Sequence, residues 1–268
     1  MPQLSISKAG GRAAWRALIA LLYLFLLAPI IVVIIISFDT QSYLAFPPRG
    51  FTFSWYAKLA SNAEFVTGFQ VSVIVAACVC IVSTCVGVPA ALALTRRRFL
   101  GRNGLSGLFL SPLMVPTVVL GLALLLVLSP IHLIGTYLGL VIAHLAITIP
   151  YVVRTTAMSL MTADTACEEA ARTLGAGSFT TFRRVTLPLI RPGVLAGAVF
   201  AFLMSFDEAV IALFVVGPNA TTLPVAIFRY VHDRTDPQVA ALSVVLIAIS
   251  IALVLVIERV MGLRRILR

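Results

Sequence analysis

Apolar residues run along this chain in long unbroken stretches, with polar residues gathered between them. Six such runs, near 15–37, 66–94, 105–128, 137–160, 192–216 and 240–260, each approach the roughly 20 residues a helix needs to cross the hydrocarbon core of a bilayer. Because the runs are continuous and do not alternate with a period of two, they exclude the strands of a transmembrane barrel. The pattern therefore predicts an all-α membrane protein, a bundle of six transmembrane helices. Between the first two spans, residues 38–65 carry Pro47-Pro48, Gly50 and the aromatics Phe51, Phe53, Trp55 and Tyr56, which suits a chain lying at the membrane interface. Ser129 to Thr136 is a short connection, whereas 217–239 is a longer loop rich in turn formers at Gly217-Pro218-Asn219, Pro224 and Asp236-Pro237. No linker divides the chain, so residues 1–268 are expected to form a single transmembrane domain.

Composition agrees: 60% of the 268 residues are hydrophobic and 11% charged, against about 25% charged in soluble domains. That excludes a soluble globular protein, and it excludes disorder, which requires too little apolar surface to offset ordering entropy. The formal charge of +10 would suit nucleic acid, but its distribution points elsewhere. If both termini are cytoplasmic, that side holds Lys8, Arg12 and Arg16, then Arg96, Arg97, Arg98 and Arg102, then Arg154, Arg172, Arg183, Arg184 and Arg191, then Arg259, Arg264, Arg265 and Arg268. The opposite side keeps Arg49, Lys58, Arg229 and Arg234. A split of 16 to 4 among the 20 basic residues selects cytoplasmic termini by the positive-inside rule, and no nucleic-acid partner is expected. Cys78, Cys80 and Cys85 share one apolar run and Cys167 sits alone, so no disulfide framework is expected. The first apolar stretch, about Ala13 to Ser37, is too long for a signal-peptide core and lacks a small-x-small exit before Asp39; it is expected to remain as the first helix.

The longest polar segment on the cytoplasmic side, Met161 to Arg191, carries the most specific signal. Asp164 is placed to cap a short helix through Glu168, Glu169, Ala170 and Ala171, and Gly175 to end it in a left-handed turn. Ser178 offers a second cap, and Phe179, Phe182 and Val185 recur at helical spacing on a second helix that Pro188 is expected to terminate. A helix-turn-helix with exposed apolar and acidic groups calls for a protein partner.

The same segment resembles the EAA signature of permease subunits of binding-protein-dependent ABC importers, EAA-x3-G-x9-I-x-L-P. Glu169, Ala170, Ala171, Gly175, Val185, Leu187 and Pro188 stand at the matching positions, with Val185 where isoleucine is usual. The resemblance implies a type I ABC importer permease fold, a family-like core over about 53–260, and a coupling loop (161–191) that docks into a cytoplasmic ATPase, with Glu169 pairing to a basic residue there. It implies a bacterial cytoplasmic (inner) membrane location and a non-catalytic subunit partnered by two ATPase subunits, a second homologous permease and an external binding protein. ATP and magnesium would then sit on the ATPases, and this chain contains no G-x-x-x-x-G-K-[ST] of its own. Ser54-Trp55-Tyr56, Ser205-Phe206-Asp207-Glu208, Thr222-Leu223-Pro224-Val225 and Ala241-Leu242-Ser243 resemble most the PotC-type permeases of spermidine/putrescine importers, which commonly have two aspartates where this chain has Asp207-Glu208. Permeases for opines, amino acid-like amines, phosphonates and iron are close relatives in that family.

Asp207 and Glu208 lie inside the fifth predicted span, where an ionised carboxylate costs on the order of 2.5–3.5 kcal/mol. As helix neighbours they would point about 100° apart, so one is expected to line a pathway for a cationic solute and the other to bond a neighbouring helix. Phe200, Phe202, Phe206 and Phe214 flank them, and aromatic faces can hold an ammonium group. His132 and His144 are too far apart for a local metal pair and no H-E-x-x-H occurs. Pro89, Pro112, Pro116 and Pro150 are candidates for kinks, and Gly107, Gly121 and Gly139 for close helix approach. Two rival classes are weaker. An intramembrane enzyme would need its carboxylates to flank a bond, and a secondary transporter would show inverted repeats and need no ATPase dock.

Overall fold

The computed structural model describes residues 8–261; Arg264, Arg265 and Arg268 lie outside the described residues, as does the side chain of Lys8. Among the described residues the chain is a succession of helices without strands. In order they are α1 (Lys8–Ile36), α2 (Ser54–Ser61), α3 (Ala63–Arg96), α4 (Arg102–Leu110), α5 (Thr117–Leu128), α6 (Tyr137–Thr162), α7 (Ala166–Thr173), α8 (Ser178–Thr181), α9 (Leu187–Phe206), α10 (Val210–Val215), α11 (Leu223–Asp233) and α12 (Gln238–Met261). A 3-10 turn, Ser111–Met114, follows α4, and a π-helical turn, Phe182–Thr186, joins α8 to α9.

Four stretches are each long and apolar enough to cross a membrane: Trp15–Ile36, Ala63–Arg96, Tyr137–Thr162 and Ser178–Phe206. The third predicted span is not one helix. Arg102–Met114 and Thr117–Leu128 meet at 106°, because Val115 precedes Pro116 and is driven out of the helical region to φ −88°, ψ 133°. The fifth span starts well before 192 and stops at Phe206, short of the predicted 216. The last apolar helix covers Gln238–Ala252 within α12. In the 217–239 loop, Pro224 is not a turn former; it occupies the first turn of α11, where its missing N–H leaves nothing unsatisfied.

By their internal contacts the residues form two compact units, one made of the segments up to Asn62 and from Tyr230 onward, the other of Ala63–Arg229. In the first, α12 packs against α1 and α2. Large apolar side chains of α1 such as Phe25, 76% exposed, are left uncovered among the described residues, as suits a helix facing lipid. The aromatic segment is pinned by the Trp55 indole N–H, which donates to the Asp39 carbonyl at 2.7 Å, and by buried Asp39, whose Oδ1 accepts from the backbone of Gln41 and Arg49. The Phe38 ring meets those of Phe51, Phe53 and Tyr56. At the start of α12, Tyr230 sits between Asp236 and Gln238 at 2.8 and 2.7 Å, and burial together with the Asp236 carboxylate pushes its hydroxyl up to about 12.

In the second unit α3, α6 and α9 form the packed centre, with α10 lying on α5. Val71, Val75 and Val79 of α3 meet Leu140, Ala143 and Ile147 of α6 and Ile211, Ala212 and Val215 of α10 in one buried cluster. Of the three glycines expected at close helix approaches, only Gly121 stands at one, between α5 and α10. Gly107 faces open space and Gly139 abuts its own preceding turn, while Gly121 lies against Phe214. The tight α6–α9 contact rests on Gly193 and Gly197: a Cβ at Gly197 would stand 2.5 Å from Thr155 Oγ1, so only glycine lets the backbones meet.

Candidate functional site

The loop after α6 is built as its residues dictate at its first end. Asp164 Oδ1 accepts the N–H of Ala166 at 2.9 Å and starts α7. Gly175 ends it at φ +84°, with Gly175 N–H bonded to Arg172 O and Ala176 N–H to Ala171 O, satisfying carbonyls that the helix end leaves open. The second half departs from expectation. Ser178 makes no cap; Gly177 holds that position and Ser178 is already helical. Pro188 does not terminate a helix either, since the chain stays helical from Ser178 to Phe206. The π-helical turn Phe182–Thr186 stands immediately ahead of the proline, and such a widened turn accommodates a ring that lacks an N–H.

Within this loop Glu169, Ala170, Gly175 and Pro188 are exposed, while Ala171, Val185 and Leu187 are half-buried. Leu174 and Phe179 are 88% and 74% exposed, so the loop offers apolar side chains as well as the exposed Glu169, which forms no ion pair among the described residues. Glu169, Ala170 and Ala171 thus lie on α7 and Val185 on the π-helical turn it packs against, Gly175 follows the end of α7, and Leu187 and Pro188 open α9.

Glu168 does the opposite of Glu169. It is buried and pairs with Arg96 at the end of α3, Nη2 to Oε1, at 3.2 Å. The same Nη2 also donates to Ala163 O, just past the end of α6, at 3.4 Å. Arg96 therefore ties α3, α6 and α7 at one point, a role the sequence hid because it stands in a run of three arginines and its partner lies 72 residues on. We expect Glu168→Ala to lower the thermal stability of the solubilised subunit, and a double-mutant cycle with Arg96→Ala to give a coupling of about 1–3 kcal/mol. A cycle that closes to zero would show the pair to be incidental.

At the other end of α9 the helix stops. Asp207 is its C-cap, at φ −92° and ψ 0°, and Glu208 falls in the gap before α10, so the two carboxylates are not consecutive residues of a continuous helix as expected. Asp207 is exposed and Glu208 buried. Glu208 Oε1 accepts the N–H of Ile211 at 2.9 Å, capping the start of α10. Phe206 stacks on Phe202, centroids 6.1 Å apart, and takes Phe69 edge-on at 5.9 Å. The twenty residues of α9 separate this site from the loop by about 30 Å.

Between the two ends runs a polar seam of interhelical side-chain bonds. Ser83 and Thr148 hydroxyls lie 2.8 Å apart, and His144 Nδ1 lies 2.8 Å from Ser205 Oγ. These bonds join α3 to α6 and α6 to α9 inside an apolar bundle, each worth about 0.6 kcal/mol on average in such settings. The available sequence signal for His144 is its place one helical turn before Thr148 in an otherwise apolar run.

Residues 83–264 match the family model described as the inner membrane component of binding-protein-dependent transport systems. The spermidine/putrescine transport system permease protein PotC of Escherichia coli (strain K12) is 34% identical over 248 residues, 91% of this chain and 92% of that protein. The putrescine transport system permease protein PotI of the same strain is 36% identical over 244 residues, 88% of this chain and 86% of that protein. The putative 2-aminoethylphosphonate transport system permease protein PhnV of Salmonella typhimurium (strain LT2) is 29% identical over 252 residues, 93% of this chain and 95% of that protein. Among solved structures, a bacterial ABC transporter involved in import of the acidic polysaccharide alginate superposes with a TM-score of 0.71 at 19% identity, covering 98% of this chain and 99% of that one. An amino acid ABC transporter solved with histidines gives 0.58 at 18% identity, covering 80% and 99%. The last two likenesses speak to fold alone.

Proposed function

The chain belongs to the family of binding-protein-dependent transport system inner membrane components and is the permease subunit of an ABC importer, and from that premise we propose that the solute it passes is a polyamine of the spermidine/putrescine kind. The observation that carries the choice of solute is Asp207, an exposed carboxylate where α9 breaks, in a chain about one third identical to two polyamine permeases. A cationic solute gains from that charge, whereas an anionic one would have to approach it.

Membership of this family implies ATPase and binding-protein partners. In our reading there are two ATPase subunits, which hold ATP and magnesium and carry out the hydrolysis, while this chain does no covalent chemistry. The second permease is a different but homologous chain, and the external binding protein delivers the solute. The arginine-rich segments face the cytoplasm with both termini, so 161–191 meets the ATPases, with Glu169 offered to a basic residue of their cleft and Leu174 and Phe179 to its apolar wall. Closure of the ATPases moves this loop. Helix α9 runs from the loop to Asp207 and Glu208 without an intervening hinge loop, so displacement at one end is carried to the other as a rigid-body motion.

The complete complex, reconstituted with its cognate binding protein, should show ATP hydrolysis stimulated by spermidine or putrescine and uptake of the same compounds. Stimulation by 2-aminoethylphosphonate or amino acids with none by polyamines would refute the proposed solute; failure of any ATPase to co-purify would refute the assembly.

A further inference from the structure

On the side of the bundle that carries the 161–191 loop, a cavity of about 540 Å³ opens between the end of α3, α4 and the end of α6. Arg96, Arg102 and Arg154 line it, and among the residues lining it there is no carboxylate. Thr95 and Ser106 add two hydroxyl-bearing side chains, and the rest of the wall is apolar, including Leu110, Met158 and Met161. Of the three arginines, Arg96 spends one nitrogen on Glu168, while its Nε is buried without a hydrogen-bond partner. Arg102 and Arg154 form no ion pair among the described residues. Three guanidinium groups around one space repel each other unless an anion joins them, and their planar donors match phosphate oxygens in pairs. Met158 and Met161 are 61% and 76% exposed, so the cavity continues onto an apolar surface.

A phosphate with an apolar tail satisfies both halves of this site, and we propose that the cavity binds the phosphate of an anionic phospholipid of the inner leaflet. The leaflet follows from the orientation given under the proposed function, which puts the loop and these arginines on the cytoplasmic side; the chemistry of the cavity does not depend on it. Soluble phosphate shares the headgroup chemistry but leaves the methionine wall uncovered. Because Arg96 touches both the cavity and Glu168, an occupant sits one side chain away from the coupling helix.

The test uses the complete, detergent-solubilised complex and labelled phosphatidylglycerol, with phosphatidylcholine as the neutral control and inorganic phosphate as competitor. Phosphatidylglycerol should bind saturably and phosphatidylcholine should not. Arg154→Gln should weaken binding about fivefold and Arg102→Gln with Arg154→Gln about 25-fold, taking roughly fivefold per basic residue lost, while the corresponding lysine pair, which keeps the charge but not the paired planar donors, falls between the wild type and the glutamine pair. If the double glutamine variant does not assemble, the single Arg154→Gln, at an exposed position, carries the comparison. Equal retention of the two lipids, or unchanged affinity in Arg154→Gln, would overturn the proposal. Displacement of the lipid by millimolar inorganic phosphate would reassign the cavity to a soluble anion. None of these readouts involves transport or the identity of the solute, so their failure is distinct from failure of the proposed function.

Discussion

Gly175→Asp is expected to leave the subunit inserted at normal yield and to abolish uptake. The chain itself gives little reason for damage. A Cβ at Gly175 would meet nothing within 4 Å, and aspartate is among the residues that best tolerate the left-handed conformation held there at φ +84°. Strain of about 1 kcal/mol is therefore the most the fold should register. What the substitution changes is the surface offered to a partner, by adding a charge beside Leu174 at the tip of the turn. Gly175→Ala, which carries at least as much backbone strain but neither charge nor bulk, should keep most activity. Glu169→Lys should weaken retention of the ATPase by reversing the charge presented to it. Uptake and ATPase co-purification are the measurements; normal values for both Gly175→Asp and Glu169→Lys would make the loop an ordinary surface segment.

How much of this was legible beforehand differs by element. The long helices α1, α3 and α6 follow from continuous apolar runs, because in hydrocarbon every backbone N–H must be satisfied within its own helix. The bend at Val115–Pro116 needed more than hydropathy: both arms are apolar, and only the conformational restriction before proline marks the break. Pro188 is the opposite case, since a proline expected to stop a helix is absorbed by the π-helical turn before it. At the loop, spacing located Asp164 and Gly175 because caps are local in sequence. It did not separate Glu168 from Glu169. Their environments diverge only when α3 brings Arg96 against one of them, and a contact between residues 72 apart leaves no local trace. The same holds for His144 and Ser205, whose bond crosses two helices.

Asp207 and Glu208 are expected to fail differently when neutralised. Glu208 uses one oxygen to accept the Ile211 N–H, and glutamine keeps such an oxygen, so Glu208→Gln should preserve assembly and most uptake. Glu208→Ala removes the cap and should destabilise the subunit by about 0.5–2 kcal/mol, read as a lower melting temperature and yield. Asp207 is exposed and its side chain forms no ion pair among the described residues, so Asp207→Asn should leave melting and assembly intact. If the solute is a polyamine, the loss appears in transport instead. An ammonium about 4 Å from a carboxylate gains about 4 kcal/mol at an effective dielectric of about 20, and after the ammonium's own hydration is given up a fall in uptake of roughly a hundredfold is reasonable. Phe206 sets the wall beside it, held by Phe202 and Phe69, so Phe206→Leu should produce a smaller loss in the same assay. Because the helix ends at Asp207, the two carboxylates no longer compete for one helical face: one is bound inward to a backbone N–H while the other is left outward. Full uptake in Asp207→Asn, with spermidine or putrescine as the transported solute, would show that this charge does not meet the substrate and would remove the main support within this chain for a cationic one.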